Sequence, residues 1–420
     1  MVGIDYIRRL AVRALATQKV QSLGDDLENP RYSSNYLSGQ DILLSVGTYG
    51  GDISILKYSP YNEKLTTVST YHEDNFQASW QIIHPTKQTL IYSVDEGNPG
   101  GVVSFNLDLE TERLSKIARA DGINGTVSMI IHDDLLISAA YTGHSVQTFK
   151  TDQDGSLSNL ESFTYTLPNA PGPNKERQEA SHPHQVALDS QQTVGDYAVV
   201  PDLGADLLRI YLIDGTTIRE TQQIAVDPGQ GPRHGVFVSM PSLSGSEVRR
   251  IYYLANELQN TVTAYEVTPF GPQSKDVQFR KIKAYSTLPH LSPAQQAAMS
   301  PVPNAAEIAI SKDNRFLYVS NRFDRSFPNR AFGPSDSIAL FEIDSHTGDL
   351  KFVKLLEAGG PNPRHFSLHS SGHFAAVALQ DSNTTVVFRV DPKSGEFIAT
   401  DTQNIAVTVP GKPVCVTWLQ

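Results

Sequence analysis

The chain is poor in the residues that several common classes of functional site require. It holds a single cysteine, Cys415, among 420 residues, which excludes an internal disulfide and a cysteine-based zinc site. It contains no Gly-x-Ser-x-Gly sequence, so a serine hydrolase would have no positioned nucleophile. These absences leave histidine, arginine and carboxylate side chains as the groups that could carry chemistry.

Basic residues never form a block, and the formal net charge of the chain is −11. A nucleic acid would meet a repulsive overall field, so no nucleic-acid partner is expected. No stretch is apolar for long enough to cross a membrane, and no membrane partner is expected either. A small anionic substrate is compatible with this charge only where arginines converge locally.

What the sequence does contain is a repeat, in which a polar residue opens a short apolar run. Seven copies stand roughly 50 residues apart, with about 70 between the fourth and the fifth, and this is the period of a four-stranded propeller blade. The copies are residues 80–84, 128–132, 184–188, 234–238, 307–311, 365–369 and 415–419.

The composition agrees with an all-β chain, because 29 glycines and 25 prolines separate many short Val, Ile and Tyr runs. One blade cannot bury both of its faces, so the copies are expected to close into one domain. We therefore predict a seven-bladed β-propeller of four-stranded antiparallel blades over residues 41–420. The last run, residues 413–419, has no following blade, and we expect it to pair with the N-terminal strands so that no sheet edge is exposed.

Residues 1–40 precede the repeat and are predicted to form an N-terminal extension. Within it, residues 7–15 are basic, amphipathic and free of acidic side chains. This pattern fits an added helix, a disordered arm or an organelle-targeting segment. A cytoplasmic location is expected, since the single cysteine fits a reducing compartment, with an organelle or secretion as the alternatives.

Two rings of side chains are expected to share one mouth of the propeller. In an antiparallel hairpin, the start of the first strand and the end of the second lie on the same face. The first ring comprises Trp80, Ser128, His184, His234, Glu307, His365 and Cys415, with Arg233 and Arg364 preceding two of them. The second ring comprises Thr48, Glu96, Tyr141, Asp202, Glu257, Arg322 and Gln380. Ionisable residues concentrate on blades three to six, and this asymmetry favours a functional site over a structural polar pore.

Residues 172–184, Gly-Pro-Asn-Lys-Glu-Arg-Gln-Glu-Ala-Ser-His-Pro-His, resemble a loop of the lactonase family of seven-bladed propellers. Segments 202–206, 231–234, 256–258, 320–322 and 363–366 resemble that family in the same order. The family includes 6-phosphogluconolactonases and is similar to the fungal carboxy-cis,cis-muconate cyclases. The resemblance therefore implies action on a small anionic lactone or its open acid, with no bound metal and no other cofactor.

The resemblance also implies a set of site residues. The implied catalytic residues are His184, Arg233, Glu257 and Arg322. Position in the rings or in the loop before His184, and not the resemblance, suggests the residues expected to bind substrate, which are His182, Asp202, His234, Arg364 and His365. The sequence departs from the family in residues 1–40, 241–248, 288–303 and 323–334, and the last of these could overhang the mouth and alter the substrate.

The chemistry of the residues points to the same reaction. Opening a lactone needs a base that draws a proton from water and a cation that holds the oxyanion. Glu257 or His184 can be the base, and Arg233 with Arg322 can hold the oxyanion and grip an anionic substrate. Two structural interpretations remain open: Glu257 could pair with an arginine of the next blade, and His184 could hydrogen-bond to Asp202.

Two other functions are left open by the sequence. The same four groups working in reverse would add a carboxylate to an alkene, which is the reaction of a lactone-forming cycloisomerase. A non-catalytic propeller that binds a protein partner would instead show an exposed aromatic patch. Its usual Trp-Asp repeat is missing here, since Trp80 and Trp418 form no such repeat.

A metal site is not expected at His182 and His184, because residues two apart on an extended segment point to opposite faces.

Overall fold

The computed structural model describes residues 40–168, 170–189, 196–241, 248–269, 276–328, 334–398 and 405–419. The predicted extension, apart from residue 40, lies outside this range, as do residues 242–247 and 329–333 of two segments that depart from the family. Its strands, in chain order, are β1 (Ile42–Thr48), β2 (Asp52–Ser59), β3 (Lys64–His72), β4 (Gln81–His84), β5 (Lys87–Asp95), β6 (Gly100–Asp108), β7 (Arg113–Gly122), β8 (Thr126–His132), β9 (Leu135–Ala140), β10 (Ser145–Thr151), β11 (Leu157–Thr164), β12 (Ala187–Asp189), β13 (Tyr197–Asp202), β14 (Leu207–Asp214), β15 (Thr217–Ala225), β16 (Pro232–Pro241), β17 (Val248–Asn256), β18 (Thr261–Pro269), β19 (Val277–Ser286), β20 (Asn304–Ile310), β21 (Phe316–Arg322), β22 (Ser337–Ile343), β23 (Leu350–Glu357), β24 (Pro363–Leu368), β25 (Phe374–Leu379), β26 (Thr384–Val390), β27 (Phe397–Ile398), β28 (Ala406–Thr408) and β29 (Pro413–Trp418).

These strands form seven antiparallel sheets, each of which is one blade. In chain order the blades are β4–β7, β8–β11, β12–β15, β16–β19, β20–β23, β24–β28, and the composite sheet β29-β1-β2-β3. Each predicted apolar run overlaps the first strand of a blade. The prediction of an all-β, seven-bladed propeller with four-stranded antiparallel blades is confirmed.

The predicted closure of the ring is present in the last of these blades. Strand β29 pairs antiparallel with β1, and the paired residues include Leu44 with Trp418 and Val46 with Val416. The C-terminal strand thus occupies the innermost place of a blade whose other three strands come from the N-terminal end. This pairing covers the edge that β1 would otherwise expose.

The core lies between neighbouring blades. The second strands carry runs that are apolar on both faces, and every residue of Leu135–Ala140 and of Phe374–Leu379 is buried. A continuous apolar run of this length is typical of a strand that is covered on both sides. The covering comes from adjacent sheets, so the blades hold one another in place and fix their inner ends around the axis.

The third blade differs from its predicted form, because its first strand is short. The apolar run was expected over residues 184–188, whereas β12 covers Ala187–Asp189. The residues before it are held by other bonds: the N–H of His184 donates to the carbonyl of Pro201 at 2.9 Å, and the N–H of Gly235 donates to Oε1 of Gln185 at 2.7 Å. The chain follows an extended course here without a regular ladder.

The long connection between the fourth and fifth blades carries a short helix, α1 (Pro293–Ala297). Ser292 caps it, since its side chain accepts from the N–H of Gln295 while the Gln295 side chain accepts from the N–H of Ser292. Asn260 donates to Oε1 of Gln296 and to the carbonyl of Pro303, both at 2.9 Å, which ties the connection to the fourth blade. Across the part of the chain that is described, no helix has the length and apolarity that a membrane crossing needs.

Candidate active site

Strands β16 and β24, which open the fourth and sixth blades, each begin with a β-bulge at the mouth of the ring. The pairing of β16 with β17 shifts register between Pro232 and His234, and that of β24 with β25 shifts between Pro363 and His365. A bulge interrupts the alternation of side chains along a strand. Arg233 and His234 are consecutive and yet are both buried, at 1% and 3% exposure. One strand end therefore supplies both an arginine and a histidine to the site.

Glu257 is the centre of a charged cluster at this mouth. It directly follows β17 and is 1% exposed. Its Oε1 lies 2.6 Å from Nη2 of Arg177 and 3.1 Å from Nη2 of Arg322, and its Oε2 lies 2.9 Å from Nε of Arg233. Arg177 comes from the connection between β11 and β12, whereas Arg322 ends β21. One carboxylate thus gathers arginines from three separate parts of the ring.

The arginines determine the charge state of Glu257. Burial alone would raise its pKa, but Arg322, Arg177 and Arg233 outweigh burial and hold the pKa well below the usual range of a glutamate. Burial, together with the neighbouring Arg322, lowers the pKa of Arg233 to about 9 even though Glu257 opposes the shift. Glu257 is therefore an ionised carboxylate and a weak proton acceptor, and the cluster carries excess positive charge.

Three buried N–H donors in this cluster make no hydrogen bond among the described residues: Nε and Nη1 of Arg233 and Nε of Arg322. Of these, Nε of Arg233 still has an ion-pair contact with Glu257. A buried charged donor that makes no hydrogen bond is costly, and in native proteins it usually has a missing partner such as a ligand or an ion. Arg177 is the cluster's most solvent-accessible arginine, with 36% of its side chain exposed. The arrangement suits the binding of an anion that enters through the mouth of the ring.

A second cation lies close to the first cluster. Nη2 of Arg364 is 3.2 Å from Oε2 of Glu96, the same oxygen that accepts a hydrogen bond from the hydroxyl of Tyr49 at 3.0 Å. The guanidinium of Arg364 also lies 5.3 Å from the centre of the Tyr49 ring. Burial is the largest cause that lowers the pKa of Arg233 and of Arg322, and the positive charge of Arg364 adds to the lowering in both.

Tyr141 joins the charged cluster to the loop of the third blade. Its hydroxyl accepts from Nε and Nη2 of Arg177, both at 3.2 Å. Its ring stacks on that of His182 with centres 4.1 Å apart, and Nε2 of His182 lies 3.0 Å from Oε1 of Glu179. The Tyr141 ring also meets His184 edge-on, at 5.5 Å between centres.

A chain of buried histidines runs from His184 across the ring. Nδ1 of His184 lies 3.0 Å from Nε2 of His234, and Nδ1 of His234 lies 3.1 Å from Oε2 of Glu307. The same oxygen of Glu307 lies 3.5 Å from Nε2 of His365. Trp80 packs edge-on against both His234 and His365, with ring centres 5.4 and 5.2 Å apart.

These histidines are neutral at neutral pH. Burial, followed by Arg233 as the next contributor, holds the pKa of His184 well below its ordinary value, and the same two causes act on His234. Burial also lowers the pKa of His365 to about 4, against the opposing effect of Glu307. Each imidazole therefore has one unprotonated ring nitrogen, and a general base requires such a nitrogen.

Asp202 makes a different set of contacts from the one that the sequence suggested. It is 0% exposed, and its carboxylate lies 2.8 Å from Nη2 of Arg209. It also accepts from the hydroxyl of Ser181 at 2.5 Å and from the N–H groups of His182 and Ala205 at 2.7 and 3.1 Å. Contact with a substrate would require it to give up one of these donors. His184 hydrogen-bonds to His234 and not to Asp202.

Other buried aspartates fix the turns that present the arginines. Asp206 accepts from the N–H groups of Gly229 and Gly231 at 2.6 and 2.8 Å, just before Arg233. Gly231 has a φ of +63°, a conformation that favours glycine. Asp336 accepts from the N–H of Phe323, directly after Arg322, at 2.9 Å. The same carboxylate accepts from the N–H of residue 362, two before Arg364, at 2.7 Å.

The family model described as lactonase, 7-bladed beta-propeller, matches residues 43–418. The chain belongs to this lactonase family. The resemblance that was carried by a few segments of the sequence therefore extends over almost the whole ring and is confirmed.

Two relatives of this lactonase-family chain are named as 6-phosphogluconolactonases. A probable 6-phosphogluconolactonase of Arthroderma benhamiae is 32% identical over 383 residues, which cover 90% of this chain and 89% of that protein. The 6-phosphogluconolactonase of Bacillus subtilis is 27% identical over 381 residues, which cover 89% of this chain and 97% of that protein.

Solved structures agree with the fold. The periplasmic gluconolactonase of Pseudomonas aeruginosa is 25% identical, with a TM-score of 0.72 over 90% of this chain and 99% of that one. A putative 6-phosphogluconolactonase of Bacteroides fragilis is 23% identical, with the same TM-score of 0.72 over 90% of this chain and 98% of that one. The second likeness bears on the fold alone.

The structure brings most of the predicted site residues of this lactonase-family chain together. Glu257, Arg233 and Arg322 form one cluster, and Arg364 lies beside it. His184, His234 and His365 form a second group, whereas His182 lies apart from that group against Tyr141. Three contributors were missed as site residues: Arg177 and Glu307, which bear charge, and Tyr141. Arg177 stands inside the family-like segment 172–184, and that segment was the signal available for it. Glu307 and Tyr141 stand in the predicted rings, and ring position was the signal available for them. Among the described residues, no group of three or more His, Cys, Asp or Glu is arranged to hold a metal ion.

Proposed function

We propose that this chain hydrolyses a small anionic lactone of the 6-phosphogluconolactone class. The observation that carries the proposal is the pairing of a buried, cation-rich cluster with a neutral histidine at the mouth of a lactonase-family propeller. Relatives that are named 6-phosphogluconolactonases support the same substrate class. The proposed steps use side chains of this chain and water, and they call for no cofactor.

The arginines have two tasks in the proposed reaction. Arg233 and Arg322 hold the oxyanion that forms when water adds to the lactone carbonyl, using N–H donors that have no partner among the described residues. Arg177 and Arg364 hold the anionic group of the substrate, since guanidinium forks bind phosphate and carboxylate at two points. An anion that enters between these side chains compensates positive charge that Glu257 and Glu96 leave unbalanced.

We assign the general base to His184, and we assign Glu257 to the organisation of the arginines. Ion pairs with three arginines hold the pKa of Glu257 far below neutral pH, so its carboxylate takes up a proton poorly. His184 is neutral, and its Nδ1 is occupied by His234. Its Nε2 is the atom left to accept a proton from water.

The proton and electron pairs balance in the proposed sequence. Nε2 of His184 takes a proton from water as the water oxygen bonds to the carbonyl carbon, and the C=O pair moves onto the oxygen held by the arginines. When that pair returns, the ring C–O bond breaks. The departing alkoxide takes the proton from His184, which restores the base and leaves a hydroxy acid.

The remaining predicted residues have supporting parts in this proposal. His234 and His365 line the group behind His184, while His182 is placed by Tyr141 and Glu179 beside the mouth. We propose that His182 contacts the polar end of the substrate. We propose that Asp202 holds the loop that carries His182 and His184.

The alternative of a protein-binding propeller predicts an exposed aromatic patch and has no use for buried cations. Among the described residues, the large hydrophobic side chains that are exposed are scattered, and Tyr61 is the one aromatic among them. Arg233, in contrast, is 1% exposed. These observations favour a small-molecule site.

The experiment compares ring opening of 6-phosphogluconolactone, gluconolactone and a carboxylated lactone, and cyclisation of a carboxy-muconate, with proton release followed above the uncatalysed rate. We expect the phosphorylated lactone to react fastest and His184→Gln to remove its turnover. Arg280→Gln, which alters an arginine whose side chain is 61% exposed, serves as the control. Turnover of the muconate alone would replace hydrolysis by the cycloisomerase reaction, and no turnover of any compound would favour the protein-binding alternative.

A further inference from the structure

One deeply buried carboxylate is not used by the proposed reaction. Glu307 lies on β20 and is 4% exposed. Its Oε1 accepts from the N–H of Ile308 at 3.0 Å, and its Oε2 faces His234 at 3.1 Å and His365 at 3.5 Å. Burying a carboxylate is costly unless it is paired. Glu307 receives its partners from two histidines of other blades, which places it at the far end of the chain that begins at His184.

The order of donors and acceptors along this chain determines where the proton of His184 lies. Burial raises the pKa of Glu307, and the neighbouring His365 and Arg233 oppose that shift. In its ionised form Glu307 accepts from Nδ1–H of His234, so the neutral His234 has its lone pair on Nε2. That lone pair faces Nδ1 of His184 at 3.0 Å, so His184 must carry its proton on Nδ1. Nε2 of His184 is then unprotonated. A carboxylate that faces the other end of a histidine pair thus determines which nitrogen of His184 is basic.

We propose that Glu307 is a positioning residue that acts through His234 to keep Nε2 of His184 free for proton transfer. The proposal rests on the proposed function, because the lone pair of His184 matters only if the chain opens lactones. Glu307 itself does not touch the substrate in this account.

The charge of Glu307 matters as well as its position as an acceptor. When His184 takes a proton from water, the histidine pair becomes cationic in a place surrounded by arginines. Glu307 is the carboxylate in contact with that pair, and it offsets part of the repulsion. The ionisable groups that contact or electrostatically influence His184 or Glu307 are His234, His365, Arg233, Arg322, Arg364, Cys415 and Tyr141. All of these are cations or neutral groups, so removal of Glu307 should make His184 harder to protonate.

The first test needs no variant of Glu307. Long-range ¹H–¹⁵N spectra of the ¹⁵N-histidine-labelled protein distinguish protonated from unprotonated ring nitrogens, and the His184→Gln spectrum assigns the His184 signals. We expect Nδ1 of His184 to be protonated and Nε2 to be unprotonated at neutral pH. The opposite tautomer in the wild-type protein would overturn the proposal. This result is independent of turnover, so it stands even if the proposed lactone substrate is wrong.

The second test uses two variants of Glu307. Glu307→Gln keeps the shape and removes the charge: kcat should fall about 10- to 100-fold with KM within about threefold, as expected for a group that assists proton transfer. The acid limb of the kcat profile should also move to lower pH. Glu307→Met removes the acceptor, and we expect a mixture of His184 tautomers in its ¹⁵N spectrum.

Asp189→Asn is the matched control, because it neutralises another fully buried carboxylate, one that pairs with Arg250 at 2.5 Å at the far end of β12. It should lower stability and leave the kcat profile of the folded enzyme unchanged. Equal pH profiles in Glu307→Gln and the wild type, with kcat unchanged, would reject the positioning role. If the wild type opens no lactone at all, the proposed function fails and the spectra alone decide the tautomer.

Discussion

Nε of Arg233 lies 2.9 Å from Oε2 of Glu257, and these two side chains are 2% and 1% exposed. Arg233 stands at the start of β16 and Glu257 directly after β17, so one hairpin delivers both partners. The cluster around this pair is not neutral overall, because Arg177 and Arg322 contact the same carboxylate. A buried cluster with more cations than anions needs either a strong fold to hold it or an anionic ligand to complete it.

Neutralising Glu257 should destabilise the fold. In Glu257→Gln three arginines would lose their shared carboxylate, and breaking a buried charge pair in this way costs about 3–5 kcal/mol. Urea unfolding at neutral pH measures the loss. Glu266→Gln is the control, because Glu266 pairs with Arg249 and the largely exposed Arg280, and we expect it to cost less than about 1 kcal/mol. Similar losses in the two variants would contradict the central place given to Glu257.

Replacing Arg233 should weaken catalysis more than substrate binding. Arg233→Gln removes a donor that the proposal aims at the oxyanion, and the loss of one such donor lowers kcat by about 10²–10³. Arg364→Gln should instead raise KM for the phosphorylated lactone more than for gluconolactone, because it removes a contact with the anionic group. Steady-state kinetics on both lactones separates the two effects. Identical patterns in the two variants would reject this division of roles.

The activity should persist at pH values below the ordinary pKa of histidine. Burial and Arg233 hold the pKa of His184 well below the ordinary histidine value of 6.5, so its basic form is present on the alkaline side of that depressed pKa. Because the reaction needs the unprotonated base, kcat/KM should be flat from neutral pH to below pH 6.5 and fall only when His184 gains a proton. A pH–rate profile corrected for spontaneous hydrolysis measures this. An acid limb centred at or above pH 6.5 would exclude a buried His184 as the base.

The sequence predicted the ring and the mouth well, since both follow from the repeat. Seven similar runs place their first residues at equivalent positions, and antiparallel pairing brings the second ring to the same face. The contact between Arg233 and Glu257 could not be predicted from the simple alternation of side chains along a strand, because that alternation puts Arg233 and His234 on opposite faces. The bulge at the start of β16 reverses that expectation.

Arg177 shows a second limit of the sequence. It lies in a loop that has no repeat, and its position is fixed by the hydroxyl of Tyr141 and by Glu257, neither of which is near it in the chain. No local pattern encodes such a contact. Asp202 shows the opposite limit, because it occupies a ring position while its carboxylate pairs with Arg209 on the next strand, β14. Its contact with a substrate stays a prediction.

Asp202 should prove more important for stability than for substrate affinity. Asp202→Asn would leave Arg209 with Glu220, at 3.3 Å, as its remaining carboxylate partner, and we expect a loss of about 3–5 kcal/mol with KM changed less than about threefold. The double variant Asp202→Asn with Arg209→Met also removes the buried cation that has lost its closer partner, so it should recover part of the loss. Thermal unfolding and kinetics on the same preparations give both values. A large rise in KM with little loss of stability would restore Asp202 as a substrate ligand.

Closure of the ring by β29 should be essential for folding. Truncation after Lys412 removes the innermost strand of the composite blade and exposes the edge of β1, which otherwise pairs along Leu44, Ser45 and Val46. It also removes the N–H of Val416, which donates to Nδ1 of His365 at 3.3 Å.

We expect the truncated chain to aggregate on size-exclusion chromatography, because an exposed apolar edge pairs with other chains. A synthetic peptide of residues 413–420 added during refolding should restore monodisperse protein, whereas a peptide with Val416→Pro should not, since proline has no N–H to donate. A monodisperse truncated chain without peptide would show that β29 is dispensable for holding the seven blades, and with them the Arg233 and His184 groups, in one ring.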